Sequence, residues 1–338
     1  MRLPLFLVKI FNYEYWSWWV FYLPMAPYWL FQAIRAKSLT YFTAVNPSIE
    51  AGGFYGEHKS EILKYIPAEY LPTTLYISPD TAFSEISHTV AAHQLKYPVI
   101  AKPNVGERGT SVVKIMSEAH LKAYHASINA DYLIQEFIEY PIELGVLFSR
   151  MPEEKSGRVS SVTLKEFLTV TGDGKSSIET LVLNNTRARF QLEALRDRLG
   201  KGIEEILPAG EKRLLEPIGN HCRGTKFVNA NHLINEQLHQ VFTTIADRFE
   251  GFYYGRFDMK VASYEDLYAG KNIRIMELNG VSSDPGHIYD PRYYLWEAYR
   301  DLGWHWNRVA EISIANQKKG IKPVPVRELL KIVKQHFG

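Results

Sequence analysis

Three residues in the last third of the chain could surround a hard cation with oxygen. The stretch YYGRFDMKVA (253–262) carries Asp258, and KNIRIMELNG (271–280) carries Glu277 and Asn279. Both read as apolar strands, on which residues two apart share a face, so Glu277 and Asn279 project together. With Asp258 opposite, the donors suit Mg²⁺, or Mn²⁺ in its place, an ion that keeps waters and takes further ligands from nucleotide phosphates. Singly, Asp258 and Glu277 read as solvated or salt-bridged strand residues. Their pairing, with Arg256 beside one and the turn NGVSSDPG after the other, points to a site.

Two lysines could supply the opposite charge. Lys102 ends an apolar strand in YPVIAKPNVGERGTSVVKI (97–115), and Lys165 lies in a later strand-like run. A lysine in an apolar strand needs a compensating anion, which nucleotide phosphates would provide. The loop NVGERGTS between Lys102 and Val112 could cover those phosphates with backbone N–H groups and hydroxyls. A phosphate loop usually leads from a strand into a helix. Here it joins two strands. The run IQEFIE (134–139) could offer main-chain donors and acceptors to an adenine edge. A second glycine-rich run, FLTVTGDGKSS (167–177), lacks the first glycine of a Walker loop, since Thr169 stands there. It reads as a turn, with Ser176 capping a helix that starts near Ile178 and Glu179 completing the capping box.

The elements positioning these residues mix helix and strand. SEILKYIP reads as a short helix stopped by Pro67, LPTTLYIS as a strand, and DTAFSEISHTVAAHQL as a helix leading to the strand at 97. DYLIQEFIE is a further strand and NEQLHQVFTTIADRFE an amphipathic helix. The two strands bearing Asp258 and Glu277 are joined by a polar connection. The remainder is helical, apart from GIKPVPV before a final basic helix. Antiparallel pairs dominate this pattern.

The 338 residues suffice for two to three well-buried cores. With 39 basic and 37 acidic residues and no long run of one sign, there is no electrostatic footprint for DNA or RNA, so no nucleic-acid partner is expected. The single Cys222 fits a reducing compartment and reads as a small buried hydrophobe, not a nucleophile.

In order along the chain, AKPNVGERGTS, LIQEFIEYPIE, GRFD and ELNGVSSDPG resemble motifs of the ATP-grasp carboxylate–amine ligases. Within that superfamily they are nearest to D-alanine–D-alanine ligase and to the ATP-grasp part of cyanophycin-synthetase-like enzymes. The resemblance covers roughly residues 70 to 305. It implies an α+β fold in which two subdomains with antiparallel sheets clasp ATP, the strand–loop–strand flap being one hairpin of that clasp. It also implies roles. Lys102 and Lys165 would contact phosphates, covered by Gly106, Glu107, Arg108, Gly109, Thr110 and Ser111. Gln135, Glu136, Phe137 and Ile138 would line the adenine, and Glu143 would accept from the ribose. Asp258, Glu277 and Asn279 would hold Mg²⁺, Arg256 would face an acyl phosphate, and Arg223 would approach the γ-phosphate. Backbone N–H groups near Gly280 would stabilise an oxyanion. His221, in the same loop as Arg223, reads foremost as a satisfied loop histidine.

The expected division is an aromatic arm over 1–40, a truncated pre-ATP-grasp region over 41–95, the ATP-grasp domain over 96–305 and a helical tail over 306–338. The arm departs from the family, whose ligases carry a full N-terminal α/β domain. Its stretch from Tyr15 to Ile34 has no charge and many aromatics. Three readings stay open: an arm packed on the body or on a second copy, an interfacial segment beside anionic lipid at Arg35 and Lys37, or a membrane span. The expected activity is ATP-dependent ligation of a small carboxylate to an amine, in the cytoplasm or at the inner face of the membrane. A small-molecule kinase and a non-catalytic ATP-binding scaffold are the alternatives.

Overall fold

The computed structural model describes residues 3–54, 58–106 and 111–337. Mixed α+β structure with antiparallel sheets is found, as the motifs led one to expect. The first sheet has strand order β1-β4-β2-β3, from β1 (Thr74–Ile77), β2 (Val99–Pro103), β3 (Val113–Ile115) and β4 (Tyr132–Glu136). Its strands alternate. Leu75, Ile77, Val99, Ala101, Ile115, Tyr132 and Ile134 pack under helices Phe83–Ala92 and Glu118–Ser127, while Ile100, Lys102 and Gln135 turn to the other face. The strand and helix before residue 96 therefore share one core with the flap hairpin.

The second sheet has order β11-β10-β5-β6-β9, from β5 (Ile142–Ser149), β6 (Arg158–Glu166), β9 (Lys226–Asn229), β10 (Tyr254–Val261) and β11 (Ile273–Asn279). Along β10 the period of two is complete: Phe257, Met259 and Val261 enter the core under helix Glu236–Ala246, and Arg256, Asp258 and Lys260 face the opposite way. The connection from β10 to β11 holds a short helix, Tyr264–Ala269. A third unit pairs β7 (Thr169–Thr171) with β8 (Lys212–Leu214) around its own apolar cluster. In its turn, Asp173 accepts from the N–H groups of Lys175 and Ser176. The helix cap is Ser177, not Ser176, whose hydroxyl is drawn to Asp173; Glu179 binds Arg196 in place of closing a capping box.

The arm folds as three short helices, α1 (Leu5–Phe11), α2 (Trp18–Tyr22) and α3 (Ala26–Arg35). Pro24 and Pro27 sit in first turns, where a missing N–H is harmless, so they start helices and do not break one span. No helix among the described residues is long and apolar enough to cross a membrane. The arm packs on the body. Phe21 is buried against Tyr289, Tyr299 and Leu302, the Glu14 carboxylate is ion-paired with Arg187, and Gly303 of helix Leu295–Lys318 faces Met25 and Tyr28. That 24-residue helix runs through the expected boundary at 305 without interruption. Cys222, read as a buried hydrophobe, is exposed.

Candidate active site

The two sheets turn their polar faces toward one cleft of about 1200 Å³. Across the second sheet the register puts Glu277 opposite Asp258, Asp258 opposite Gly145, and Gly145 opposite Thr163. Arg256 lies opposite Asn279. Glycine at 145 makes the row feasible, because a Cβ there would sit 3.1 Å from Asp258 Oδ1 and 3.3 Å from Arg256 Cδ.

Asp258 is the hub. Arg256 donates to it through Nε at 3.2 Å and Nη2 at 3.1 Å, Lys165 Nζ lies at 3.2 Å, and Asn279 Nδ2 donates at 3.0 Å. Burial would raise its carboxyl, but the charges of Arg256 and Lys165 outweigh burial and hold it below the usual range. Burial would likewise lower Lys165, whose neighbours Asp258 and Glu143, the latter at 3.2 Å, raise it instead.

Lys102 is treated differently. Its Nζ donates to Gln135 Oε1 at 3.0 Å and to the Met276 carbonyl at 2.9 Å, and it makes no ion pair among the described residues. The second acceptor exists because β11 bulges: Asp258 pairs with Glu277 and Met259 with Ile275, leaving Met276 out of register. Burial pushes the Lys102 ammonium down to about 8, only partly opposed by Glu277. Glu277 is the more open carboxylate, 35% exposed, with Lys59 Nζ at 3.7 Å.

Among the other expected residues, Gln135, Glu136, Phe137, Ile138 and Gly106 line the cleft. Glu143 also lines it, held between Lys165 and Lys260. Ser111 is placed by its carbonyl, which accepts from Tyr124. Glu107, Arg108, Gly109 and Thr110 lie outside the described residues. Gly280 abuts Gly53, where a Cβ would come within 2.6 Å of Cα, so close backbone packing requires that glycine. Arg223 lies at the edge of the flap. It binds Glu216 at 3.0 Å and the Val112 carbonyl at 3.2 Å, tying the flap to the third unit. His221 does line the cleft and contacts Glu14.

Sequence reasoning passed over four groups. Lys260 shares the period-two face with Arg256 and Asp258, a signal present in GRFDMK; it donates to the Ile138 carbonyl at 2.9 Å. Lys59 donates to the Gly106 carbonyl at 2.6 Å and carried no local signal. Asp284 was visible only as part of a turn. The arm's aromatic side chains form one wall of the cleft.

No family model matches the chain, and no curated protein matches it. Among solved structures it is similar to a bifunctional glutathione synthetase from Pasteurella multocida, at 13% identity and TM-score 0.37, over 72% of this chain and 35% of that one. It is similar to VanG D-Ala:D-Ser ligase from Enterococcus faecalis at 14% identity and TM-score 0.42, over 76% of this chain and 62% of that one. It is also similar to D-alanine–D-alanine ligase from Bacillus anthracis complexed with ATP, at 14% identity and TM-score 0.39, over 78% and 66%. The chain thus spans about a third of the first protein, 35%, and about three-fifths of the second, 62%. Two antiparallel sheets facing one cleft is the arrangement that the ATP-grasp resemblance implied.

A divalent cation fits the donor set in type, with two carboxylates and an amide oxygen on one strand-paired face. No group of three His, Cys, Asp or Glu side chains among the described residues could hold a metal alone, so the shell would need Asn279 and substrate oxygens. Glu277 and the Asn279 Oδ1 would hold it most directly, and Asp258 would join by giving up one of its cations.

Proposed function

We propose that the protein is an ATP- and Mg²⁺-dependent ligase that joins a carboxylate to an amine through an acyl phosphate. The observation that carries this reading is Lys102, a buried ammonium met, among the described residues, only by neutral oxygens, facing the Asp258–Glu277 row across one cleft. Such a charge is poorly compensated until an anion arrives. Lys102, Lys165 and the backbone near Gly106 would take the phosphates. Gln135 to Ile138 would take the base. Arg256 would grip the transferred phosphoryl group and then the oxyanion formed when the amine attacks. Mg²⁺ would neutralise charge developing on the γ-phosphoryl oxygens. Catalysis is then positioning plus electrostatics, and no side-chain nucleophile is required.

The test is ADP release with a panel of carboxylates and hydroxylamine as the trapping amine. A ligase gives a hydroxamate, whereas a kinase gives ADP without one and a scaffold gives neither. Glu277→Ala should lower Mg-ATP turnover about 10²- to 10³-fold with the fold retained. Activity within a few-fold of wild type would remove Glu277 from the metal shell.

The arm's outer side supports a location at a lipid surface. Phe6, Phe11, Leu23, Phe31 and Ile34 are all exposed, with Lys9, Arg35 and Lys37 exposed among them. A scattered apolar residue needs no explanation, but so many along one arm do. The protein should co-sediment with vesicles containing phosphatidylserine and less with neutral ones. Equal recovery in the supernatant with both would remove this location.

A further inference from the structure

The cleft is larger than a nucleotide site alone, because it continues from the Arg256 guanidinium into a chamber walled by the arm. Trp16, Trp18, Trp19 and Phe21 of the arm line it together with Trp306. At the junction stands Asp284. Its main-chain oxygen accepts from Arg256 Nη1 at 3.3 Å, which places it beside the group expected to hold the reacting phosphoryl. Its Oδ2 accepts from the hydroxyls of Tyr22 and Tyr289, the latter at 3.0 Å. Oδ1 has no hydrogen bond, and the carboxylate no ion pair, among the described residues. Tyr22 stacks on Trp306 with ring centroids 6.2 Å apart, and Asp284, Tyr22, Tyr289 and Trp306 all line the same cleft, so aromatic rings flank the carboxylate. Burial raises its carboxyl above the ordinary value, opposed by the Tyr22 and Tyr289 hydroxyls and, at longer range, by the Arg256 charge.

A half-enclosed carboxylate ringed by aromatic faces is built for an ammonium, which gains from both the charge and the ring quadrupoles. It repels a carboxylate. Among the described residues the lysines and arginines that line the cleft are Lys59, Lys102, Lys165, Arg256 and Lys260, and of these Arg256 is the one that hydrogen-bonds Asp284, through its main-chain oxygen. The indole and phenyl walls beyond it suit hydrocarbon.

We propose that Asp284, with Tyr22 and Tyr289, binds the ammonium of the acceptor substrate, and that this acceptor is a primary amine with an apolar body seated in the arm's aromatic chamber. The inference rests on the ligase reading for the word acceptor, but the binding site can be measured without catalysis. The probes are octylamine, octanol and ethylamine, read by tryptophan fluorescence, since several tryptophans line the chamber. In the full chain octylamine should bind about tenfold or more tightly than either octanol or ethylamine, the gain expected from one charge-assisted pair. Asp284→Asn should bring octylamine and octanol within about twofold of each other. Octanol binding as tightly as octylamine in wild type, or an Asp284→Asn variant that keeps the preference, would overturn the site. Should Asp284→Asn fail to fold, Trp19→Ala at the exposed chamber wall decides: octylamine should weaken about fivefold with ethylamine unaffected, and unweakened octylamine binding rejects the chamber. Octylamine binding that depends on Asp284 without any hydroxamate formation would retain the site and discard the ligase. Hydroxamate formation without that dependence would do the reverse.

Discussion

Replacing Lys102 with Met should lower Mg-ATP turnover about 10²- to 10³-fold while leaving the protein about as stable as wild type. The two halves come from one geometry. The ammonium is buried with the Gln135 and Met276 oxygens as its acceptors, and burial pulls it down from 10.5 to about 8. A lysine whose folded value lies below its unfolded one is charged at the expense of the fold at neutral pH. That penalty, about 3 kcal/mol, is fully present below pH 8 and fades as pH rises toward 10.5. Methionine removes it. The two oxygens left without a donor take back about 1 to 3 kcal/mol each, so the two effects roughly cancel. A purely structural lysine would instead give a clear loss. Nucleotide should also bind only the charged form, so wild-type ADP affinity should fall about tenfold from pH 7 to pH 9, and that slope should vanish in Lys102→Met. Calorimetric titration with MgADP at both pH values, beside thermal melts, checks it. A flat wild-type profile, or a melting temperature that drops several degrees in the variant, would reject the anion site.

Much of this cleft was legible because strands write their faces into alternation. GRFDMK announces that Arg256, Asp258 and Lys260 share one side, and ELN does the same for Glu277 and Asn279. What alternation cannot say is which strand lies beside which. The Asp258–Glu277 pairing is a long-range fact of register, and the bulge that frees the Met276 carbonyl has no signature in IRIMELN. Lys59 was unreadable for the same reason: it lies on a five-residue helix and reaches Gly106 only through tertiary packing. For Arg223, the conspicuous Arg-Gly pair names a loop but not the direction of the guanidinium, so its contact with Glu216 could not be read from the sequence. The arm was half legible. Its lack of charge suggested lipid, and its prolines spoke against one long helix, but that it walls the cleft follows from contacts some 270 residues distant in sequence, such as Tyr22 with Tyr289 at 3.3 Å.

Arg256→Lys should slow turnover about 10²-fold or more with ATP affinity nearly unchanged, the larger loss appearing in the hydroxamate assay. Arg256 spends its fork on Asp258, through Nε and Nη2, and its remaining Nη1 on the Asp284 carbonyl. A lysine cannot hold both oxygens of a carboxylate and a carbonyl on the neighbouring loop at once, because its three donors radiate from one atom. Lysine keeps the charge, so long-range attraction for ATP survives, but the planar grip on a transferred phosphoryl group and on the oxyanion is lost. The competing view is that Arg256 merely neutralises a buried Asp258. On that view Lys165, already 3.2 Å from the same carboxylate, would cover much of the loss, and Arg256→Lys would lower the melting temperature while sparing kcat. Melting curves and single-turnover hydroxamate yields from one preparation separate the two. A phosphinate mimic of the acyl phosphate adds an independent measure, since it should bind wild type far more tightly than the parent carboxylate and lose that advantage in Arg256→Lys. Equal loss of affinity for phosphinate and carboxylate would mean that Arg256 holds the acid in its ground state and takes no special part in the transfer.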